Sequence, residues 1–112
     1  TINYLKKNNS IALMVDQRVG ESERYPFFGV PAHTTTIPAQ LALKYDLEII
    51  PIFLERKEEN FFKMEIQQPL KYEKTQNSDK DKKNITIEIN RIIEQMILKN
   101  PSQWIWTHSR WK

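Results

Sequence analysis

The stretch that most constrains the fold is an apolar run, Ile11-Ala-Leu-Met-Val15, followed at once by Asp16, Gln17 and Arg18. A short apolar run without helical periodicity is typical of a strand buried on both faces. In open α/β sheets, ligands bind at the carboxyl ends of such strands. The run therefore predicts a buried strand that places Asp16 in a site. The alternative is a core strand followed by a solvated turn.

The next segment combines a loop signal with a helix signal. The stretch Phe27-Phe28-Gly29-Val30-Pro31 is apolar, but its Gly and Pro indicate a constrained loop. A threonine run at positions 34–36 then precedes Pro38, and a helix tolerates proline only in its first turn. Apolar residues follow at a spacing of four, which predicts a helix with one apolar face: Ile37, Leu41 and Tyr45.

Two later segments, residues 47–54 and 62–66, are predicted strands. The second alternates polar and apolar residues, so it predicts a half-exposed strand in a hairpin with the first. Pro51 has no N–H group to donate within a sheet, so it indicates a bulge in the strand at residues 47–54. The strand at residues 11–15, the helix from Ile37 to Tyr45 and the strand at residues 47–54 follow one another in the chain. This order predicts a parallel βαβ unit with a right-handed crossover. We therefore predict an α/β fold with a partial, mixed, mostly parallel sheet flanked by helices.

A long amphipathic helix is predicted from about residue 80 to residue 99. Asn100-Pro101 ends it, because proline cannot continue a helix. A stripe of apolar residues would face the core: Ile85, Ile89, Ile92, Ile93 and Met96. At the other end of the chain, Ile2 and Leu5 precede Lys6-Lys7-Asn8-Asn9, which is typical of the last turn of a helix.

The tail contains three tryptophans, Trp104, Trp106 and Trp111, among the basic residues His108, Arg110 and Lys112. Aromatic side chains of this density close a core or form a membrane-interface belt. Aromatics interleaved with cations also stack on nucleic-acid bases. The pattern by itself leaves all three roles open.

Composition excludes several classes of site but selects no partner. The 112 residues include no cysteine, so disulfides, thiol nucleophiles and thiolate metal ligands are excluded. The sequence contains no apolar run of about 18 residues, the length that a transmembrane helix needs. The net charge of +3 suits an anionic partner, such as a phospholipid surface, an acyl carrier protein or a nucleic acid.

Several separate patches agree with one family. They are Asp16-Gln17, the stretch from Pro26 to Ala32, the threonines 34–36, Leu41-Ala42, Ile50-Pro51-Ile52-Phe53 with Arg56, and the segment from Pro101 to Lys112. In this order and spacing the chain resembles the lipid A biosynthesis acyltransferases, the lauroyl and myristoyl transferases of Gram-negative bacteria. That family belongs to the lysophospholipid acyltransferase superfamily.

The resemblance implies an enzyme that moves an acyl chain from an acyl carrier protein thioester, or from acyl-CoA, to a hydroxyl of a lipid A precursor. It implies work at the cytoplasmic face of the inner membrane, with no cofactor, no metal and no nucleic-acid partner. The alternatives are another glycolipid or lysophospholipid as acceptor, or a non-enzymatic, basic, Trp-rich module that binds nucleic acid or membrane.

Catalysis in this family uses a His-x4-Asp/Glu motif, in which the His removes the proton of the acceptor hydroxyl. Neither His33 nor His108 begins such a motif. The resemblance therefore implies that residues 1–112 are the C-terminal part of a single acyltransferase domain. The membrane anchor and the His motif would precede Thr1, and we expect the 112 residues alone to be inactive.

The resemblance also implies roles for five residues. Asp16 would have a supporting catalytic role, orienting an arginine or the acceptor sugar near the His motif. Substrate-binding roles are implied for the others: Gln17, Arg56, His108 and Arg110. The basic side chains of Arg56, His108 and Arg110 would contact phosphates of the lipid or the phosphopantetheine arm of the carrier. The alternative for Arg56, His108 and Arg110 is that they tie the tail to the sheet.

Overall fold

The computed structural model describes residues 2–7 and 9–112. These residues form a mixed α/β architecture of three α-helices and two small antiparallel hairpins. The helices are α1 (Ile2–Leu5), α2 (Ile37–Tyr45) and α3 (Ser78–Lys99); the strands are β1 (Arg24–Phe27), β2 (Val30–His33), β3 (Ile52–Arg56) and β4 (Phe62–Ile66). Short 3-10 turns span Glu58–Asn60 and Pro101–Gln103.

The prediction of a mostly parallel sheet is wrong. β1 pairs only with β2 and β3 only with β4 among the described strands, and both pairings are antiparallel. Helix α2 therefore connects two hairpins and does not cross over within one sheet. Both observed pairings join neighbouring segments of the chain, as hairpins do, whereas the predicted parallel unit needed a partner strand far away in the sequence.

The predicted buried strand at Ile11–Val15 is also wrong. No residue of this segment is in a strand, and Leu13 and Met14 are 46% and 85% exposed. Within the described residues, its backbone N–H and C=O groups form no hydrogen bonds. An apolar run favours burial, but a strand also needs a neighbour that accepts and donates these bonds.

The first hairpin replaces the predicted constrained loop. Arg24 lies opposite His33 and Phe27 opposite Val30, which leaves Phe28 and Gly29 as a two-residue turn. Both have positive φ, 50° and 74°, as in type I′ turns, whose twist matches that of the flanking strands. Glycine adopts this conformation without strain, whereas Phe28 does not.

Helix α2 begins where predicted but turns a different face to the core. Ala39 and Ala42 are buried, whereas Ile37 is 49% exposed. The small alanine side chains let α2 approach α3 closely, and these two helices pack together. Asp46 ends the helix in the left-handed conformation.

The long helix α3 confirms its prediction, including its end at Asn100. The Asn77 side chain caps its first turn by accepting a hydrogen bond from the Lys80 backbone N at 3.2 Å. Buried residues form one stripe along it: Ile85, Thr86, Asn90, Ile93, Met96 and Ile97. Of the predicted stripe, Ile89 and Ile92 are only partly buried.

The second hairpin confirms the predicted pairing of the segment at residues 47–54 with that at residues 62–66, but its first strand begins at Ile52 and not at Leu47. Ile52 lies opposite Ile66 and Leu54 opposite Met64. All four apolar side chains are more than half exposed. Unlike the first hairpin, this one presents an apolar face to solvent.

The hydrophobic core lies between the first hairpin, α3 and the tail. Its buried centre is Phe27, Ala32, Ile93 and Ile97, and it is flanked by partly buried residues: Val15, Phe28, Ile89, Trp104 and Trp111. None of the described helices is both long enough and apolar enough to cross a membrane.

Candidate functional site

Asp16 lies next to the C-terminal tail. Its carboxylate oxygen Oδ2 accepts a hydrogen bond from Trp104 Nε1 at 3.2 Å, and its backbone oxygen accepts one from the Arg110 guanidinium at 2.7 Å. The carboxyl group is half-buried. Its other oxygen, Oδ1, has no hydrogen-bond donor within the described part of the chain. The tail thus holds one side of Asp16 and leaves one carboxylate oxygen free to accept a further bond.

Arg110 is completely buried. One guanidinium nitrogen donates to the Asp16 backbone, and the other donates to Asn90 Oδ1 at 2.8 Å. The guanidinium carbon lies 3.9 Å from the centre of the Phe27 ring, a cation–π geometry that is strongest when water is excluded. The Arg110 backbone oxygen accepts a bond from the His33 N–H at 3.0 Å. The residue therefore connects the tail, the first hairpin and α3.

Burial lowers the pKa of Arg110 to about 10, because a low-dielectric surrounding disfavours the charged form. The negative charges of Asp16 and Glu94 act in the opposite direction. At neutral pH the guanidinium therefore stays protonated, and both of its hydrogen bonds are charge-assisted.

Asn90 was missed by the sequence analysis. It is fully buried in α3, and its Nδ2 donates to the Pro26 backbone oxygen at 3.0 Å and to Thr34 Oγ1 at 3.3 Å. One signal was available, since Asn90 stands three residues before Ile93, within the buried stripe of the helix. A polar residue inside such a stripe needs hydrogen-bond partners in the core.

Glu94 was also missed. It lies one helical turn after Asn90, and its Oε1 accepts a bond from the Phe28 backbone N–H at 2.7 Å. Phe28 is the non-glycine residue with positive φ in the tight turn. The carboxylate thus satisfies a turn N–H and holds a backbone conformation that costs energy for a side chain.

The tryptophans pack as an aromatic cluster around Phe27. The Phe27 ring lies 5.8 Å from Trp104 and 5.6 Å from Trp111, and Trp111 Nε1 donates to the Phe27 backbone oxygen at 3.2 Å. Trp106 contacts Trp104 but is 49% exposed. Of the three roles that the sequence left open, the packing of Trp104 and Trp111 favours core closure.

The remaining predicted site residues lie in different places. His108 is linked to the loop after Asp16 through Arg18, whose backbone N–H donates to His108 Nε2. Gln17 is half-buried beside Asp16 and makes no side-chain hydrogen bond among the described residues. The structure thus brings together Asp16 and Arg110, and it attaches His108 to the same loop.

Arg56 belongs to the second hairpin. It is not part of the Asp16 cluster. Its backbone N–H donates to Gln103 Oε1 at 2.8 Å, and its exposed guanidinium lies 5.6 Å from the centre of the Phe62 ring. Gln103 Nε2 donates back to the Arg56 backbone oxygen at 2.8 Å. These paired bonds fasten the start of the tail to the second hairpin.

Across residues 2–7 and 9–112, no three His, Asp or Glu side chains are grouped closely enough to hold an ion. The chemistry available around Asp16 is that of a carboxylate acceptor supported by a buried cation.

The family model described as bacterial lipid A biosynthesis acyltransferase matches residues 1–112. A search of curated proteins finds no match.

Proposed function

Because the chain belongs to the bacterial lipid A biosynthesis acyltransferase family, we propose that it transfers a fatty acyl chain from an acyl carrier protein thioester to a hydroxyl of a lipid A precursor. Family membership makes it an acyltransferase of lipid A biosynthesis; the donor and the acceptor are our proposal. The acceptor oxygen attacks the thioester carbonyl, a C–O bond forms and the C–S bond breaks. The hydroxyl proton passes to a base, and the carrier leaves as its thiol.

We propose that the base is the His of a His-x4-Asp/Glu motif outside residues 1–112, which form the C-terminal part of the acyltransferase domain. Neither histidine here begins such a motif. The ring of His108 supports this assignment, because its Nε2 already accepts a bond from the Arg18 backbone. A ring nitrogen used in this way is not free to take a proton from a substrate.

Asp16 has the supporting role in this proposal. Its free carboxylate oxygen accepts a hydrogen bond from an acceptor sugar or from a cation near the base, while Trp104 holds the other oxygen. Gln17 and His108 flank the same loop and are proposed to contact substrate. Arg56 is exposed on the second hairpin and is proposed to contact a phosphate of the lipid or of the carrier's phosphopantetheine arm.

We propose that the enzyme works at the cytoplasmic face of the inner membrane, where its lipid acceptor lies. The net charge of +3 supports association with an acidic carrier protein and with anionic lipid headgroups. This charge is modest, so we expect the encounter to weaken as salt screens it.

The observation that carries the site proposal is the half-buried Asp16 carboxylate with one oxygen held and one free. The test is Asp16→Asn in the intact purified enzyme. We expect kcat/KM to fall about 10²-fold, roughly 2.7 kcal/mol of transition-state stabilisation, with little change in Tm. Asp46→Asn is the matched control, because Asp46 is an exposed helix-end residue and Asn tolerates the same left-handed backbone.

Near wild-type turnover by a stable Asp16→Asn enzyme would remove Asp16 from the site. A lowered Tm with full activity of the folded fraction would show a structural role instead. Assays that pair acyl carrier protein or acyl-CoA donors with lipid A precursor, other glycolipids or lysophospholipids identify the substrates. Transfer to none of these lipids would contradict the proposed function.

A further inference from the structure

Arg110 is a cation buried without an acidic hydrogen-bond partner. Its two terminal nitrogens donate to the Asp16 backbone oxygen and to the Asn90 amide oxygen, both neutral acceptors. Its Nε is buried and has no hydrogen-bond partner among the described residues. Such burial costs free energy, and apolar residues of similar volume often replace buried ionic groups with no loss of stability. Stabilising the fold therefore does not by itself account for an arginine here.

What the guanidinium does provide is a rigid link of fixed geometry. Its planar fork donates in two directions, and the Phe27 ring lies 3.9 Å from its carbon on one face. At one end of the link is the backbone of Asp16. At the other end is Asn90, on a 22-residue helix.

Asn90 is itself held in one orientation. Its Nδ2 donates to Pro26 and to Thr34 of the first hairpin, so its Oδ1 faces Arg110. Rotating the amide by 180° would place two donors against each other and lose all three bonds. The orientation of Arg110 therefore follows from α3 and the first hairpin together.

We infer that Arg110, oriented by Asn90, is a positioning residue that fixes the backbone at Asp16 and so places the Asp16 carboxylate in the site. The inference rests on the proposed function of Asp16. It assigns Arg110 a role behind the site, where its complete burial leaves it no surface to offer a substrate.

The first experiment uses Arg110→Lys in the intact enzyme. Lysine keeps the charge but has a single ammonium, which lacks the fork that spans Asp16 and Asn90. We expect kcat to fall at least about tenfold, with KM changed less than about twofold, per mole of folded enzyme. Arg91→Lys is the control, because Arg91 is the exposed neighbour of Asn90. Unchanged kcat in a folded Arg110→Lys enzyme overturns the inference.

A double-mutant cycle tests whether Arg110 acts through Asp16. If it does, Arg110→Lys combined with Asp16→Asn loses no more kcat than Asp16→Asn alone, since the positioned group is already absent. Losses that multiply show that the two residues act independently and overturn the inference. Full activity of Asp16→Asn alone contradicts the proposed role of Asp16, whereas an impaired Asp16→Asn beside a fully active Arg110→Lys contradicts only the positioning role of Arg110.

A pair of variants at Asn90 keeps the test decisive if Arg110→Lys does not fold. Asn90→Asp keeps the acceptor that faces Arg110 but loses the donor bonds to Pro26 and Thr34, so Tm falls while kcat of the folded enzyme is retained. Asn90→Leu removes the acceptor, so kcat falls as in Arg110→Lys. Equal kcat for the two folded variants contradicts the role of Asn90 in orienting Arg110.

Discussion

The two hairpins have the same topology and opposite surroundings. In the first, Phe27 is fully buried between α3 and the tail; in the second, Phe62 is 57% exposed. Both are short, antiparallel and rich in apolar residues. The difference comes from the tail, which lays Trp104, Trp111 and Arg110 over the first hairpin, whereas its Gln103 forms hydrogen bonds with the backbone of the second. Burial is thus decided by distant residues rather than by the strands themselves.

The largest contrast is expected from truncating the equivalent aromatic residue in each hairpin. Phe27→Ala removes the ring on which Trp104, Trp111 and Arg110 pack, and we expect it to lower the free energy of unfolding by about 3–5 kcal/mol. Phe62→Ala should lower it by at most about 1 kcal/mol, because the ring is exposed and contacts mainly Arg56. Urea unfolding of both variants measures the difference. Equal losses would mean that the second hairpin is covered in solution.

Removing one carboxylate at each hairpin should give a smaller difference in the free energy of unfolding. Glu94→Ala leaves the Phe28 N–H without its acceptor, and we expect a loss of about 1–3 kcal/mol. Glu65→Ala breaks only a surface ion pair with Lys99, at 3.4 Å, and should cost about 0.5 kcal/mol or less. Thermal unfolding at matched ionic strength compares them. A loss for Glu94→Ala as small as that for Glu65→Ala would remove Glu94 from the support of the turn.

Substitutions in the turns of the two hairpins should change the free energy of unfolding in opposite directions. Gly29 has φ +74° with no atom within 4 Å of an added Cβ, so Gly29→Ala should cost about 1–2 kcal/mol through backbone strain alone. Glu59 has φ +59° in the second turn, and Glu59→Gly relieves that strain, offset in part by the entropy of glycine. We expect a gain of about 0.5 kcal/mol in urea unfolding. Destabilisation by Glu59→Gly would show that the Glu59 side chain makes a stabilising contact.

The smallest effect concerns alkaline pH. The pKa of the Tyr25 phenol is raised to about 12, chiefly by burial and to a smaller extent by its hydrogen bond to Glu23. Because this value lies above the unfolded value of 10, the stabilisation is complete below pH 10 and is lost as pH rises through about 12. Absorbance titration should show a tyrosine that ionises near pH 12 and is missing in Tyr25→Phe. Loss of absorbance change near pH 10 in that variant, with the late phase retained, would place Tyr25 in contact with solvent.

Local sequence signals predicted those helices and strands whose formation depends mainly on neighbouring residues in the chain. The apolar stripe and the Asn100-Pro101 stop gave the end of α3, and the alternation at Phe62, Met64 and Ile66 gave β4. The same signals failed at Ile11–Val15, where apolar character was sufficient to suggest a strand but carried no information about a partner. Pairing and coverage are long-range properties, and one sequence records them weakly.

The site was predicted in part for the same reason. The resemblance singled out Asp16 and Arg110, and the structure places them in direct hydrogen-bond contact. Asn90 and Glu94 were passed over, because polar residues on an amphipathic helix resemble its solvent face until the hairpin turn is seen against them. Arg56 was predicted as a site residue but lies on the other hairpin.

The bond between Arg110 and Asp16 joins residues 94 positions apart. A ribosome therefore releases Asp16 long before the residue that fixes it, since synthesis runs from the amino to the carboxyl end. Closing so long a loop costs conformational entropy that no local contact repays in advance. The bond that holds the Asp16 backbone can therefore form only after the tail has been synthesised.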